Sequence, residues 1–259
     1  MINLVVCSLS ALKCSEKSNK ISEETIDLIA RLNSEGIRFA VVTGMNYDAV
    51  SPLFGKIKKD IIFACNDGGV VIYQDKVLSK TPIDRLICLD VERELQEDSN
   101  YKVTYSTERG IYLTSHEYEL IKALKEEGKT PEFVKDTKEL HGDITKITIY
   151  SKKEFNEQSY SYFYNKWAKG ANVSISNPNQ LNITAQYVNR SIVLSLIQHM
   201  FAVSTEDTMV FGSEYRDIEM FKHSYFSYAL QGCDSEVRRA AQYITDNIPT
   251  ILEDVMRMI

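Results

Sequence analysis

The chain opens with a short, continuously apolar run, and similar runs return along its first third. "INLVV", "IRFAVVTG" and "DIIFAC" have the length of strands and lack alternating polar positions. Strands that are apolar throughout are buried on both faces, as in a parallel sheet covered by helices on each side. The first third therefore predicts an α/β domain built on a parallel sheet.

The segments between these runs carry helix and turn signals. "ISEETIDLIARLNSEG" has Ser22 as a helix N-cap, acidic residues in its first turn, and Gly36 at its end. "NYDAVSPLFGKIKK" predicts a second helix. Gln74-Asp75 lies between two strand-like flanks and predicts a hairpin, which interrupts the alternation of strand and helix.

Residues 82–183 show a mixed pattern, in which helix candidates accompany strands such as "YKVTYST" and "DITKITIY". The first pattern then returns in "NRSIVLSLIQHMF", "DTMVFG", "SEYRDIEMFKHS" and "YFSYAL", and the last twenty-five residues are predicted to be helical with a break at Pro249. The chain thus leaves one domain and re-enters it. We predict a core domain of residues 1–81 and 184–259 with an inserted α/β domain at 82–183.

Composition and charge exclude several classes of partner. The 259 residues are 44% hydrophobic and 25% charged, which is ordinary for one large or two modest globular domains. The net charge of −6 argues against general binding to nucleic acid. No apolar stretch approaches the roughly 18 residues that cross a bilayer, and no signal peptide is recognisable. We expect a cytoplasmic protein that binds neither nucleic acid nor membrane.

Cysteine and histidine provide no site in this sequence. The five cysteines are scattered without a C-x-x-C pair, and the four histidines have no metal-ligand spacing. Cys7 and Cys65 lie within apolar runs and are predicted to be small buried residues. Neither a disulfide framework nor a zinc site is expected.

Five stretches, in chain order, carry a resemblance to a known family: "LVVCSLSALKC", "FAVVTGM", "CNDGGVVIY", "LNITAQYVNRS" and "VFGSEYRDIEM". They resemble the D-x-D-G-T-L, T-G-R, N-G, lysine and G-D-x-x-N-D-x-E-M motifs of the haloacid dehalogenase (HAD) superfamily, and within it the Cof-type subclass IIB phosphatases. That family has a Rossmann-like parallel-sheet core with an inserted α/β cap of the C2B type. The resemblance implies the same fold here.

The resemblance also assigns candidate site residues. It places Ser8 and Ser10 at the positions of the family's nucleophilic and acid/base aspartates. Thr43 and Gly44 match the second motif, and Arg190 stands where the family has its lysine. The resemblance therefore implies that Thr43, Gly44 and Arg190 are the phosphate-binding residues.

The last motif retains Asp217 but has Ser213 in place of its first aspartate and Arg216 in place of its asparagine. In the family, carboxylates at the positions of Ser8, Ser213 and Asp217 hold magnesium. Magnesium prefers carboxylate ligands, and two nearby arginines would repel a dication. From the motif positions alone, we expect no magnesium site and no cofactor.

These replacements predict a pseudoenzyme. A serine hydroxyl becomes a useful nucleophile only beside a base, and no histidine lies in these motifs. We expect a family member without magnesium-dependent phosphatase activity that binds a phosphorylated small molecule or an inorganic anion. Two alternatives remain open: a weak or altered hydrolase that uses Asp217, Glu214 or the serine hydroxyls, and a structural or interaction protein with a decayed pocket. In the second alternative, Arg190 merely pairs with Asp217.

Overall fold

The computed structural model describes residues 1–13, 20–95 and 98–258. Its strands are β1 (Leu4–Ser8), β2 (Arg38–Val42), β3 (Ile61–Cys65), β4 (Val70–Tyr73), β5 (Lys76–Lys80), β6 (Tyr101–Ser106), β7 (Ile111–Leu113), β8 (Pro131–Phe133), β9 (Lys146–Ser151), β10 (Ala171–Asn177), β11 (Gln180–Ala185), β12 (Thr208–Gly212), β13 (Phe226–Leu230) and β14 (Tyr243–Thr245). Its α-helices are α1 (Leu9–Leu12), α2 (Glu23–Ser34), α3 (Tyr47–Val50), α4 (Arg85–Leu95), α5 (Tyr118–Glu126), α6 (Glu157–Trp167), α7 (Arg190–Met200), α8 (Ile218–Phe221), α9 (Ser235–Ala240) and α10 (Ile248–Arg257). Within these ranges, no helix combines the length and apolarity needed to span a membrane.

The first sheet has eight strands in the order β14–β13–β12–β1–β2–β3–β4–β5. The strands from β14 to β3 run parallel, and β4 turns antiparallel to β3. The chain winds from β1 to β3 on one side and from β12 to β14 on the other. In open α/β sheets, ligands bind at such a change of direction, beyond the C-terminal ends of the strands. We therefore expect a ligand-binding site beyond the C-terminal ends of β1 and β12.

The sequence signals for these elements are confirmed. Every residue of β1 is buried, as expected for a strand covered on both faces. Ser22 caps α2 by accepting a hydrogen bond from the Thr25 amide, and Gly36 follows the helix with a left-handed φ of 86°. Gln74 and Asp75 form the two-residue loop between β4 and β5 with φ values of 54° and 59°, the left-handed pair of a type I′ hairpin.

The second sheet has six strands in the order β10–β11–β9–β6–β7–β8, of which only β7 and β8 pair in parallel. Its strands alternate between apolar and polar positions. Ile147, Ile149 and Ile183 lie in a buried cluster with Trp167 of α6. The second sheet and its helices thus have a hydrophobic core of their own.

Within the described residues, the chain divides into two compact units. The first comprises Met1–Gly44, Val50–Leu78 and Asn189–Ile259, and the second Met45–Ala49 and Ser79–Val188. The sequence-based boundary at residue 183 falls inside β11, whose apolar side chains belong to the core of the second unit. The second unit therefore extends beyond that boundary.

The prediction of a wholly helical C-terminal segment is wrong. β14 interrupts it, because its backbone pairs in parallel with β13 at the edge of the first sheet. Pro249 lies in the first turn of α10, after the N-cap Asn247, where proline loses no helical hydrogen bond. The helix predicted for "SEYRDIEMFKHS" is a 3₁₀ turn at Tyr215–Asp217 followed by the short α8.

Candidate functional site

Two paired strands of the first sheet end in serine-containing segments. β1 ends at Ser8, which is fully buried, and Ser10 follows in α1. β12 ends at Gly212, directly before Ser213. β1 and β12 are parallel neighbours, with Cys7 opposite Phe211, so both segments leave the sheet at the same edge. We call this edge the C-terminal edge.

The serine hydroxyls meet at the C-terminal edge. The Oγ atoms of Ser8 and Ser10 are 3.2 Å apart, and Ser213 Oγ donates to Ser10 Oγ at 3.0 Å. We call these residues the serine triplet. In the described part of the chain, Ser8 Oγ has only the Ser10 hydroxyl as a side-chain partner. Among the described residues, therefore, neither an imidazole nor a carboxylate hydrogen-bonds to Ser8 Oγ to take its proton.

Asp217 fixes the turn that follows β12. Its carboxylate is fully buried, and Oδ2 accepts hydrogen bonds from the amides of Ser213 at 2.8 Å and Glu214 at 3.0 Å. A Cβ atom on Gly212 would lie 2.5 Å from the Cβ of Asp217. Glycine at this position lets the Asp217 carboxylate fold back onto the strand end.

Two guanidinium groups and three carboxylates form an ion-pair cluster beside this turn. Arg190 contacts Oδ1 of Asp217 at 2.5 Å, and its second terminal nitrogen lies 3.0 Å from Glu214 Oε2 and 3.6 Å from Asp67 Oδ1. Arg216 contacts the same two oxygens, at 2.9 Å from Glu214 and 3.0 Å from Asp67. We call these five residues the arginine–carboxylate cluster.

Local structure explains how the cluster is assembled. Arg190 is the first residue of α7, after the N-cap Asn189. A cation at a helix N-terminus opposes the helix dipole, so the neighbouring carboxylates stabilise Arg190 there. The left-handed turn Asn66–Gly68 brings Asp67 to the same place. Gly68 is needed for that approach, because a Cβ atom on it would lie 3.0 Å from Val193 of α7.

The surroundings of this site keep Arg190 charged and the Cys7 thiol neutral. Burial alone would lower the pKa of Arg190, but the three carboxylates of the cluster, Asp217 foremost, raise that pKa well above its usual range. Burial raises the pKa of the Cys7 thiol, and the negative charge of Asp217 raises it further. Cys7, which precedes Ser8, is therefore a protonated, unreactive thiol.

The structure buries Arg190, which the resemblance implies to be a phosphate-binding residue, among carboxylates. The side chain is only 5% exposed, and its two terminal nitrogens contact carboxylates. The pairing with Asp217 is the one that the decayed-pocket alternative requires. The phosphate-binding role of Arg190 stays a prediction, and it now requires a ligand to compete with a carboxylate.

Thr43 and Gly44 follow β2 at the C-terminal edge. Thr43 is buried, its amide donates to the Ala64 carbonyl at 2.9 Å, and its carbonyl accepts from the Asp67 amide at 2.9 Å. The backbone of Thr43 therefore holds the Asn66–Gly68 turn in place and is not a spare anion donor. Gly44 is half-buried. The phosphate-binding roles of both residues remain predictions.

Sequence reasoning missed Asp67 and did not assign Glu214 or Arg216 to one cluster with it. The available signal was the Asn-Asp-Gly-Gly turn that follows β3. Because β3 is parallel to β2 and β1, such a turn lies at the C-terminal edge. The number of carboxylates at this edge is therefore larger than the motif positions indicate.

Comparison with known proteins gives a family and several relatives. The model of a family described as haloacid dehalogenase-like hydrolase matches residues 14–250, downstream of Ser8 and Ser10. The 5-amino-6-(5-phospho-D-ribitylamino)uracil phosphatase YbjI of Escherichia coli is 21% identical over 93% of this chain and 90% of its own length. Phosphoglycolate phosphatase 1 of Saccharolobus solfataricus is 22% identical over 95% of this chain and 90% of its own.

Solved structures share the fold over nearly the whole chain. A protein of Eubacterium rectale superposes with a TM-score of 0.90 at 22% identity, covering 98% of this chain and 99% of its own. The HAD subclass IIB sugar phosphatase BT4131 has a TM-score of 0.79 at 16% identity, covering 98% of this chain and 99% of its own. The Rossmann-like α/β fold expected from the sequence is confirmed.

The expectation that the protein has no metal cofactor is wrong. The matching family normally uses Mg²⁺, and the relatives named above are phosphatases. The prediction counted motif positions only and left out Asp67 and Glu214. With the Ser213 hydroxyl, these two carboxylates supply oxygen atoms of the kind that magnesium takes. In this structure the carboxylate oxygens contact Arg190 and Arg216, so a bound ion would compete with the two arginines for them. Bound magnesium neutralises charge on phosphoryl oxygens.

Proposed function

Because the chain belongs to the haloacid dehalogenase-like hydrolase family, we propose that it binds a phosphorylated small molecule at the C-terminal edge without forming a covalent phosphoenzyme. The serine triplet carries this proposal. Three hydroxyls form a hydrogen-bonded chain at the positions where the family motifs have carboxylates. The relatives support the ligand class, since YbjI and BT4131 are named for phosphorylated or sugar substrates.

The first part of the proposal is that serine hydroxyls bind the phosphoryl group. A serine hydroxyl donates one hydrogen bond and carries no charge, so it can bind a phosphoryl oxygen without like-charge repulsion. Ser10 and Ser213 are both partly exposed, whereas Ser8 lies beneath them and is buried. Ser10 and Ser213 are therefore the hydroxyls that reach a ligand, and Ser8 orients Ser10.

The second part of the proposal is that no covalent phosphoenzyme forms, because the serine hydroxyls lack the acid–base properties of carboxyl groups. Formation of a phosphoenzyme through a serine needs a base to activate the hydroxyl, and none of the described partners of Ser8 is a base. A serine at position 10 also cannot exchange a proton with the leaving group near neutral pH, as a carboxyl group can. Removing a catalytic nucleophile costs about a millionfold in turnover in a well-studied hydrolase. Turnover at this site would be correspondingly slow.

The second candidate function is an altered phosphatase. The observation in its favour is that the relatives are named as phosphatases, in a family that uses magnesium. Glu214 would then act as the base. Its carboxylate is partly exposed, and the residue directly follows Ser213 of the serine triplet. Hydrolysis with magnesium supplied separates the two candidates.

Titration calorimetry with inorganic phosphate, in buffer containing Mg²⁺, tests binding. We expect the wild type to bind and the Ser10→Ala/Ser213→Ala double variant to bind at least tenfold more weakly. Ser34→Ala is the matched control, because this exposed serine ends α2 ahead of β2, at the opposite edge of the sheet. Absence of binding by the wild type, or equal binding by the double variant, contradicts the proposal.

A further inference from the structure

One carboxylate oxygen of Glu214 lies between two guanidinium groups. Oε2 is 3.0 Å from Arg190 and 2.9 Å from Arg216. Guanidinium groups are well suited to phosphate, because each one presents several charged N–H donors in one plane. Glu214 thus occupies the position that a phosphate oxygen would take between Arg190 and Arg216.

The members of the cluster differ in their freedom to leave it. Asp217 is fully buried and accepts two backbone hydrogen bonds, so it is fixed. The side chain of Asp67 is 14% exposed and belongs to the left-handed turn. The side chain of Glu214 is 35% exposed. Glu214 is the most exposed of the three carboxylates in the cluster, so it is the one best placed to rotate into water and leave both arginines.

Arg190 also has a donor to spare. Its Nε atom is shielded from solvent and has no hydrogen-bond partner in the described part of the chain. A buried donor of this kind costs free energy until a ligand or water satisfies it. A phosphate group has more acceptor oxygens than a carboxylate, so it can satisfy more of the Arg190 donors than Glu214 does.

The geometry points to Glu214 as an internal competitor for the phosphate group: a phosphate monoester binds between Arg190 and Arg216 by displacing the Glu214 carboxylate. This inference rests on the proposed function and adds a regulated subsite to it. With Glu214 in place, three carboxylates face two guanidinium groups, and the excess negative charge repels an anion. With Glu214 displaced, the remaining charges balance. Affinity for phosphate is therefore held down by the protein's own side chain.

Titration calorimetry with inorganic phosphate tests the competition. Glu214→Gln keeps the size of the side chain and removes its charge, so we expect its dissociation constant to be at least tenfold lower than that of the wild type. The control is Glu219→Gln, which makes the same charge change at an exposed pair with Lys222. In the Glu214→Gln/Arg216→Gln double variant, the gain should disappear. Circular dichroism verifies folding, and Glu214→Asp, which is too short to bridge both arginines, replaces the first variant if that variant does not fold.

The outcomes separate this inference from the function on which it rests. Equal affinity of wild type and Glu214→Gln, an equal gain in Glu219→Gln, or a gain that survives loss of Arg216 overturns the inference. If the wild type binds phosphate through Ser10 and Ser213 while Glu214→Gln changes nothing, the proposed function stands and the competition fails. If neither protein binds phosphate, the proposed function fails as well.

Discussion

The Ser213 hydroxyl donates to the Ser10 hydroxyl at 3.0 Å, across 203 residues of sequence. Parallel pairing of β1 with β12 brings the two residues together. Ser213 also donates its amide to Asp217, which in turn binds Arg190. A continuous set of contacts therefore joins the serine triplet to the arginine–carboxylate cluster.

Replacing Arg190 should destabilise the protein. Arg190→Ala leaves the buried Asp217 carboxylate without its guanidinium partner, and breaking a buried pair in this way costs about 3–5 kcal/mol. Arg190→Lys should cost less, because it keeps the charge and loses the planar fork. The measurement is urea unfolding followed by circular dichroism.

The control for that series is Arg257→Ala, since Arg257 is exposed and its ion pairs with described residues lie at the surface of α10. Surface pairs contribute about 0–1 kcal/mol, so the change should be small. A loss in Arg190→Ala no larger than in Arg257→Ala would show that Arg190 is not held in the cluster.

Gly212→Ala tests the close approach of Asp217 to the end of β12. The added methyl group would lie 2.5 Å from the Asp217 Cβ and 2.9 Å from the Phe221 ring, so the turn must move. We expect a loss of about 1–3 kcal/mol, the usual range for overpacking. Gly232→Ala, with no heavy atom within 4 Å of the added Cβ, should be nearly neutral in the same thermal unfolding experiment. Equal effects in the two variants would contradict this account of the turn.

Thiol modification should distinguish the cysteines by burial. Cys7, Cys65 and Cys88 are buried, and burial raises the pKa of Cys88 to about 12. Cys233 is partly exposed. In a Cys14→Ser background, which removes the cysteine outside the described residues, Ellman's reagent should modify Cys233 alone until denaturant is added. Rapid modification of Cys7 in the native protein, located by peptide mapping, would argue against the burial of β1.

Acid should weaken the second unit through Asp90. The Trp167 indole N–H donates to the Asp90 carboxylate at 2.9 Å, and this hydrogen bond, aided by Arg93, lowers the pKa of Asp90. A depressed folded-state pKa means that the interaction stabilises the protein above the unfolded pKa of about 3.9 and is lost as the pH falls through the folded value.

The Asp90→Asn variant tests this pH dependence. Its unfolding free energy should lie below that of the wild type near neutral pH, and the difference should shrink as the pH falls below about 4. Asp27→Asn, at an exposed position of α2, is the control for the loss of one negative charge. If the difference in unfolding free energy between the wild type and Asp90→Asn stays constant with pH, the stabilisation by Asp90 comes from packing and not from its charge.

The sequence predicted most of the fold because its signals were local. Continuous apolar runs identified β1 to β3, and Ser22 and Gly36 marked the ends of α2. β14 could not be predicted in this way, since its strand conformation depends on hydrogen bonds to β13. Short edge strands derive their structure from a neighbour and carry little pattern of their own.

The candidate site was only partly predictable for a related reason. Motif positions identified Ser8, Ser10 and Ser213, and the structure joins them. The burial of Arg190 and its contact with Asp67 depend on how the Asn66–Gly68 turn packs against α7, which is a tertiary contact. Counting motif carboxylates therefore gave a wrong expectation about magnesium.

The most direct test of the central claim is hydrolysis of p-nitrophenyl phosphate and sugar phosphates with Mg²⁺ supplied, measured for the wild type and for Ser8→Ala. The account predicts that both proteins release phosphate no faster than the buffer blank, while the same wild-type preparation binds inorganic phosphate in the calorimeter. Magnesium-dependent turnover by the wild type that disappears in Ser8→Ala would contradict it, because Ser8 would then act as the nucleophile that its hydrogen-bond partners do not support.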